Sequence, residues 1–174
     1  MVFGFPLQVF TLVHVAISLI GIATGLIVLF GMLASHRPVG WTGLFLFTTI
    51  LTSVTGIMFP IHGFTPALGV GITSMILLAI ALLALYGKHL VGAWRWIYVA
   101  TAVASLWFNV FVLIVQSFEK LSFLNPLAPQ VGPPFSEPQN THFVIAQGVA
   151  LVFFVVMGIA AAIKFRPGPA MAAS

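Results

Sequence analysis

Five long apolar segments constrain this chain more than any other feature of its sequence. A helix needs about 20 mostly apolar residues to cross a bilayer, and each of the five segments is about this long or longer. Only 5% of the residues are charged, against about 25% in soluble domains, so a surface facing water could not be covered. We therefore expect an all-α, polytopic membrane bundle of five transmembrane helices, at about 7–33, 41–59, 66–86, 93–117 and 141–163.

The same pattern predicts one transmembrane domain over residues 1–166, with a disordered tail at 167–174. The last two helices are joined by a loop at 118–140 that contains five prolines. Proline is excluded from helix interiors and central strands, so this loop is expected to be extended and stiff. Loops longer than about 12–15 residues are often lids or binding loops. The alternative is a connector that lies along the lipid headgroups.

The basic residues predict how the bundle is oriented. With five spans, all but one of them fall on the same face of the membrane, and loops on the cytoplasmic face are enriched in Lys and Arg. We therefore predict the N-terminus outside and the C-terminus inside, in a multi-pass protein of the bacterial inner-membrane type. Four spans, with the second or third segment re-entrant, would divide the basic residues between the two faces. The residues on the predicted inner face are Arg37, Lys88, Arg95, Lys164 and Arg166, and Lys120 is on the other.

Composition excludes several classes of function. The chain has no cysteine, which excludes disulfides, thiolate metal sites and thiol nucleophiles. Asp is absent and Glu occurs twice, so a proton relay of buried carboxylates is not expected. The scattered basic residues form no patch for nucleic acid, which leaves the lipid bilayer as the predicted partner. The sequence contains neither a nucleotide-binding glycine pattern nor a nucleophile-plus-base motif that would identify an enzyme.

Two glycines predict a close helix–helix contact. Gly21 and Gly25 form a GxxxG motif in the first predicted helix, and this spacing lets a neighbouring backbone approach closely. The contact could be with a membrane-protein partner or with a second copy in a homo-oligomer. The alternative is the ordinary enrichment of glycine in membrane helices.

Polar residues inside the spans predict a binding site. His14, Asn109 and Gln147 each lie about 8–12 Å from the outer end of their helix at 1.5 Å per residue. Intramembrane polar groups cost free energy unless they face the bundle interior and find partners. The sequence therefore predicts an outward-facing polar pocket in which these three residues contact a cofactor. Haem and a lipid-soluble molecule such as a quinone are the candidates.

A divalent metal is a further candidate, because neutral imidazole and carboxylate are common metal ligands. No HxxxH or HExxH spacing occurs, and the histidines come from different segments. A simpler interpretation is that His14 donates one interhelical hydrogen bond to a neighbouring Thr, Asn or Gln. The protein would then be an accessory or scaffolding subunit of a larger membrane complex with no site of its own. The predicted metal ligands are His14, His62, His142, Glu119 and Glu137.

Overall fold

The computed structural model describes residues 6–59, 66–127 and 140–166. Within these ranges the chain forms five long helices that are connected in sequence, each long and apolar enough to cross a membrane. The predicted all-α architecture with five helices of membrane-spanning length and hydropathy is confirmed over these ranges. The helices are α1 (Leu7–Leu33), α2 (Val39–Ile57), α3 (Pro66–Leu82), α4 (Trp94–Lys120) and α5 (Thr141–Lys164).

The helix ends differ from the predicted ones by up to three residues, apart from α3. Helix α1 has the predicted limits, whereas α2 begins two residues early because Pro38 precedes it and accepts a hydrogen bond from the amide of Thr42. Helix α4 continues to Lys120, so Glu119 and Lys120 belong to its last turn instead of the loop. A cation near a helix C-terminus is favoured by the helix dipole.

Helix α3 ends in a wider π-turn at Leu83–Gly87. The amide of Lys88 donates to the carbonyl oxygen of Leu83 over 2.8 Å. The chain then reverses toward α4 through Leu90 and Gly92, which have φ angles of 58° and 59°. Gly92 suits this left-handed conformation because it lacks a Cβ atom, and Leu90 is held there as part of the buried core.

Helix α4 is the centre of the bundle and contacts all four other helices. Helices that follow one another in sequence pack together, and α5 lies against both α4 and α1. Close packing of this kind excludes voids and transmits strain. The largest side chains that are fully buried on these helices include Leu29, Phe45, Leu78, Tyr98 and Leu106.

The connections bring the basic residues to one end of the bundle. Ser35, after α1, exchanges hydrogen bonds with the backbone of Arg166, after α5. Arg95, in the first turn of α4, donates to the carbonyl oxygen of Phe165. We call this end, formed by residues 34–38, 88–95 and 164–166, the basic end; the opposite end is the His14 end. The basic end carries Arg37, Lys88, Arg95, Lys164 and Arg166, while Lys120 lies at the His14 end.

Packing is tighter toward the basic end than toward the His14 end. No described residue of α1 before Gly21 is buried. Every residue of α4 from 110 to 117 is only half-buried, whereas most residues of the same helix between Tyr98 and Asn109 are buried. Near the His14 end, Phe118 and Phe143 form a small separate cluster. The helices are therefore less closely packed around the half of the bundle that contains His14.

Candidate functional site

The imidazole ring of His14 is held by one hydrogen bond to α2. Its Nδ1 atom lies 2.7 Å from Oγ1 of Thr55, and the same Oγ1 lies 2.6 Å from the carbonyl oxygen of Leu51. Two oxygens this close must share a proton, so the single hydroxyl proton of Thr55 points at the carbonyl oxygen of Leu51. Thr55 then has no proton left to donate to the imidazole. The ring must therefore donate from Nδ1, and in the neutral tautomer its lone pair is on Nε2.

Aromatic and small residues surround this ring. The ring of Phe59 meets the imidazole edge-on with centroids 5.2 Å apart, and Phe10 packs edge-on against Phe59 at 5.0 Å. A Cβ atom on Gly56 would lie 3.5 Å from Cε1 of His14, so the missing side chain leaves room for the ring. In the part of the chain that the structure describes, Nε2 has no hydrogen-bond partner. The site thus offers one oriented acceptor nitrogen on an imidazole that packs against one aromatic ring.

Asn109 belongs to a different and more deeply buried contact. Its Nδ2 atom donates to Oγ1 of Thr49 over 3.4 Å. A Cβ on Gly21 would lie 3.3 Å from Oγ1 of Thr49 and 3.5 Å from Nδ2 of Asn109, so α1 crosses directly over this bond. Farther along α2, Ser53 donates to Oγ of Ser74 on α3 over 3.2 Å. These polar bonds connect α2 to α3 and α4 inside the core.

Gln147 lies at a third contact, between α5 and α4. Its Nε2 atom donates to the carbonyl oxygen of Phe111 over 3.1 Å. His14 instead contacts α2, and its partner Thr55 is six residues beyond Thr49, or about 9 Å along the helix. The structure therefore places the three predicted cofactor residues at separate interhelical contacts and does not bring them together. His14 makes the interhelical hydrogen bond of the simpler interpretation, and Asn109 and Gln147 each make an interhelical bond as well.

The predicted metal ligands do not form a cluster where they can be located. His62 and Glu137 lie outside the described residues. Glu119 accepts a hydrogen bond from Nε2 of Gln116 over 3.2 Å at an exposed position, and His142 is exposed in the first turn of α5. Over residues 6–59, 66–127 and 140–166, no three His, Asp or Glu side chains are grouped so that they could hold a metal ion. The described residues give the predicted metal or haem site no support.

The GxxxG motif is used within the chain. A Cβ atom on Gly25 would lie 2.6 Å from Cδ1 of Leu106 on α4 and 2.8 Å from Cε2 of Phe45 on α2. Gly21 lies against the polar contact between Thr49 and Asn109. Both glycines are buried, so the face predicted to meet a partner or a second copy is already covered by α2 and α4.

Sequence reasoning did not find the role of Thr55 or Arg95. A signal for Thr55 was present, because Thr48, Thr52 and Thr55 share one helix face at helical spacing. No signal pairs Arg95 with the end of α5, since the two are about 70 residues apart in the chain. No protein-family model, no curated protein and no solved structure matches this chain.

Proposed function

We propose that this membrane protein binds a small lipid-soluble molecule that carries a hydroxyl group, and that a quinol is the class that fits best. The observation that carries the proposal is the oriented imidazole of His14, which donates from Nδ1 to Thr55 and leaves Nε2 as an acceptor. An acceptor without a partner at a depth inside the hydrocarbon region costs free energy, because no water is there to pair with it. A ligand hydroxyl that donates to Nε2 would remove this cost.

The surroundings of His14 support an apolar ligand. The ring lies seven residues into α1, about 10 Å from the start of the helix, which is a depth inside the hydrocarbon region. Molecules that reach this depth from the bilayer are themselves lipid-soluble. Phe59 supplies aromatic surface beside the imidazole, and Phe10 extends that surface on the other side of Phe59. Flat aromatic rings stack favourably in offset or edge-on arrangements. The looser packing toward the His14 end leaves access from the membrane.

Binding should depend on the nitrogen of His14 and on the bond that orients it. With the protein in lipid nanodiscs, a short-tail quinol is titrated anaerobically and its affinity is measured by calorimetry. We expect His14→Phe, which keeps an aromatic ring beside Phe59, to weaken binding about tenfold, the loss of roughly one hydrogen bond. Thr55→Val removes the acceptor that fixes the ring and should weaken binding by a smaller factor.

The matched control is His142→Phe, which makes the same change at an exposed position on α5 and should leave the affinity unchanged. Equal affinity in the wild type and His14→Phe would contradict the proposal and leave His14 as a link between α1 and α2. A haem absorbance band in the purified protein would also contradict it, because the ligand would then be haem.

We also propose that the His14 end faces the outside of a bacterial-type inner membrane, with the C-terminus in the cytoplasm. The support is the gathering of five Lys and Arg residues at the basic end, since cytoplasmic loops are enriched in these residues. Alkaline phosphatase fused after residue 174 is expected to be inactive, and green fluorescent protein fused at the same point is expected to fluoresce. An active phosphatase fusion together with a non-fluorescent green fluorescent protein fusion would show that the C-terminus is outside, which contradicts the proposed orientation.

A further inference from the structure

A groove runs between α4 and α5 on the lipid-facing surface of the bundle. Its volume is about 340 Å³ and its lining is almost entirely apolar. Small residues four apart line both walls: Ala100 and Ala104 on α4, and Gly158 and Ala162 on α5. A Cβ on Gly158 would lie 3.2 Å from Cγ1 of Val103, so the two helices approach closely at the floor of the groove. Residues at this spacing share one face of a helix, so the groove follows the direction of the two helices.

The length of the groove matches one leaflet of the bilayer. It begins near the basic end, where Ala100 and Ala162 line it, and it reaches Trp107 and Leu151 near the middles of their helices. The α5 wall from Leu151 to Ala162 rises about 16 Å and the α4 wall from Ala100 to Trp107 about 10 Å, while half of the hydrocarbon core is about 15 Å thick. A transmembrane partner helix would need a groove through both leaflets, whereas one acyl chain needs only this length.

Cationic groups lie where the groove meets the basic end. Nη1 of Arg95 donates to the carbonyl oxygen of the groove-lining Ala162 over 3.4 Å. The guanidinium lies 4.6 Å from the ring of Trp96, which is four residues before Ala100 and so lies on the groove side of α4. Arg166, just after α5, is exposed. An arginine over an interfacial tryptophan is well placed for a headgroup.

The charge of the basic end is not balanced by acidic side chains of the described residues. Five Lys and Arg residues lie there, the chain contains no Asp, and Glu119 lies at the His14 end. Anionic headgroups are attracted to basic side chains at a membrane surface. A guanidinium is the side chain best suited to a phosphate, because its N–H groups match two phosphate oxygens.

We propose that this groove is a binding site for an anionic phospholipid. One acyl chain lies along Ala100, Ala104, Gly158 and Ala162, and the phosphate is held at the basic end by the remaining N–H donors of Arg95 together with Arg166. The apolar lining and the length of the groove select the acyl chain, while the positive charges of Arg95 and Arg166 select the headgroup. This site is separate from the one at His14 and does not depend on it.

Native mass spectrometry of the full chain in a mild detergent tests the headgroup selection. The protein is mixed with equal amounts of phosphatidylglycerol and phosphatidylcholine that have the same acyl chains. We expect retention of phosphatidylglycerol to exceed that of phosphatidylcholine by at least about fivefold, the effect of one basic side chain near the membrane surface. Arg166→Gln should reduce this preference, whereas Lys120→Gln at the other end should not. Equal retention of the two lipids by the wild type would overturn the proposal.

Variants that fill the groove test the position of the acyl chain. Ala104→Leu and Val155→Phe each add volume to its lining, and Val155 is exposed, so its replacement does not disturb the core. Both should abolish retention of phosphatidylglycerol, while Ala16→Leu at an exposed position on α1 should not change it. Full retention in both groove variants would overturn the proposal. A dimer that both variants dissociate, with lipid retention unaltered, would overturn it in favour of an interface between copies.

Discussion

Replacing Gly25 with alanine should destabilise the bundle by about 1–3 kcal/mol, the range typical of overpacking in a well-packed core. The new Cβ would lie 2.6 Å from Cδ1 of Leu106 and 2.8 Å from Cε2 of Phe45. Both neighbours are almost completely buried, each with 1% of its surface exposed, so neither can move into open space. The strain must separate α1 from α2 and α4. The loss is measured as a lower midpoint of unfolding when SDS is added to protein in mild detergent.

Gly43 provides the matched control for this prediction. It also lies inside a helix, but a Cβ there would meet nothing within 4 Å. Gly43→Ala should therefore be neutral, or stabilising by up to about 1 kcal/mol through its higher helix propensity. Gly21→Ala is expected to be intermediate, because its Cβ would lie 3.3 Å from the hydroxyl oxygens of Thr48 and Thr49. Equal losses from Gly25→Ala and Gly43→Ala would contradict the packing of α1 described above.

The five helices could be predicted because hydropathy is a local property of the sequence. Each span needs about 20 apolar residues, and no knowledge of its neighbours is required. The ends were less certain where polar residues continue a helix. Helix α4 extends to Lys120 because a charged side chain in the last turn can reach the membrane surface while its backbone stays helical. Hydropathy alone ends that helix too early.

The gathering of basic residues at one end was also accessible from the sequence. These basic residues follow the first, third and fifth spans. If each span crosses the membrane once, the segments after these three spans lie at the same end of the bundle. The bonds from Arg95 to the carbonyl oxygens after α5, and from Ser35 to Arg166, place three distant parts of the chain at the same end. Connectivity is therefore as informative as hydropathy in a chain of this kind.

The pairing of polar residues could not be predicted in the same way. Depth alone placed His14, Asn109 and Gln147 at nearly one level. The observed partners on α2 are Thr55 for His14 and Thr49 for Asn109, and these two threonines are six residues apart. Helix rotation and tilt decide which side chains meet, and both are set by packing against neighbouring helices. The close approach at Gly21 and Gly25 is one such packing contact, and the sequence shows the glycines without showing which helices cover them.

Replacing Arg95 with glutamine should cost about 1.5–3 kcal/mol, the usual worth of hydrogen bonds that involve a charged group. Its guanidinium donates to the carbonyl oxygens of Ala162 and Phe165 at the end of α5, where the backbone lacks helical partners and the dipole favours a cation. Phe165 is fully buried and packs against Tyr98 at 6.3 Å. Losing these bonds should release the last turn of α5 and expose that aromatic contact.

Two further replacements separate the geometry of Arg95 from its charge. Arg95→Lys keeps the positive charge but not the planar fork of N–H donors, so its loss of stability should be about half as large. Arg166→Gln removes a cation from an exposed position at the same end and should change stability by less than about 0.5 kcal/mol. Hydrogen exchange at the amides of 161–165 should accelerate most in Arg95→Gln. If Arg166→Gln and Arg95→Gln accelerate exchange equally, the effect is one of net charge, and the bonds from Arg95 do not hold α5 in place.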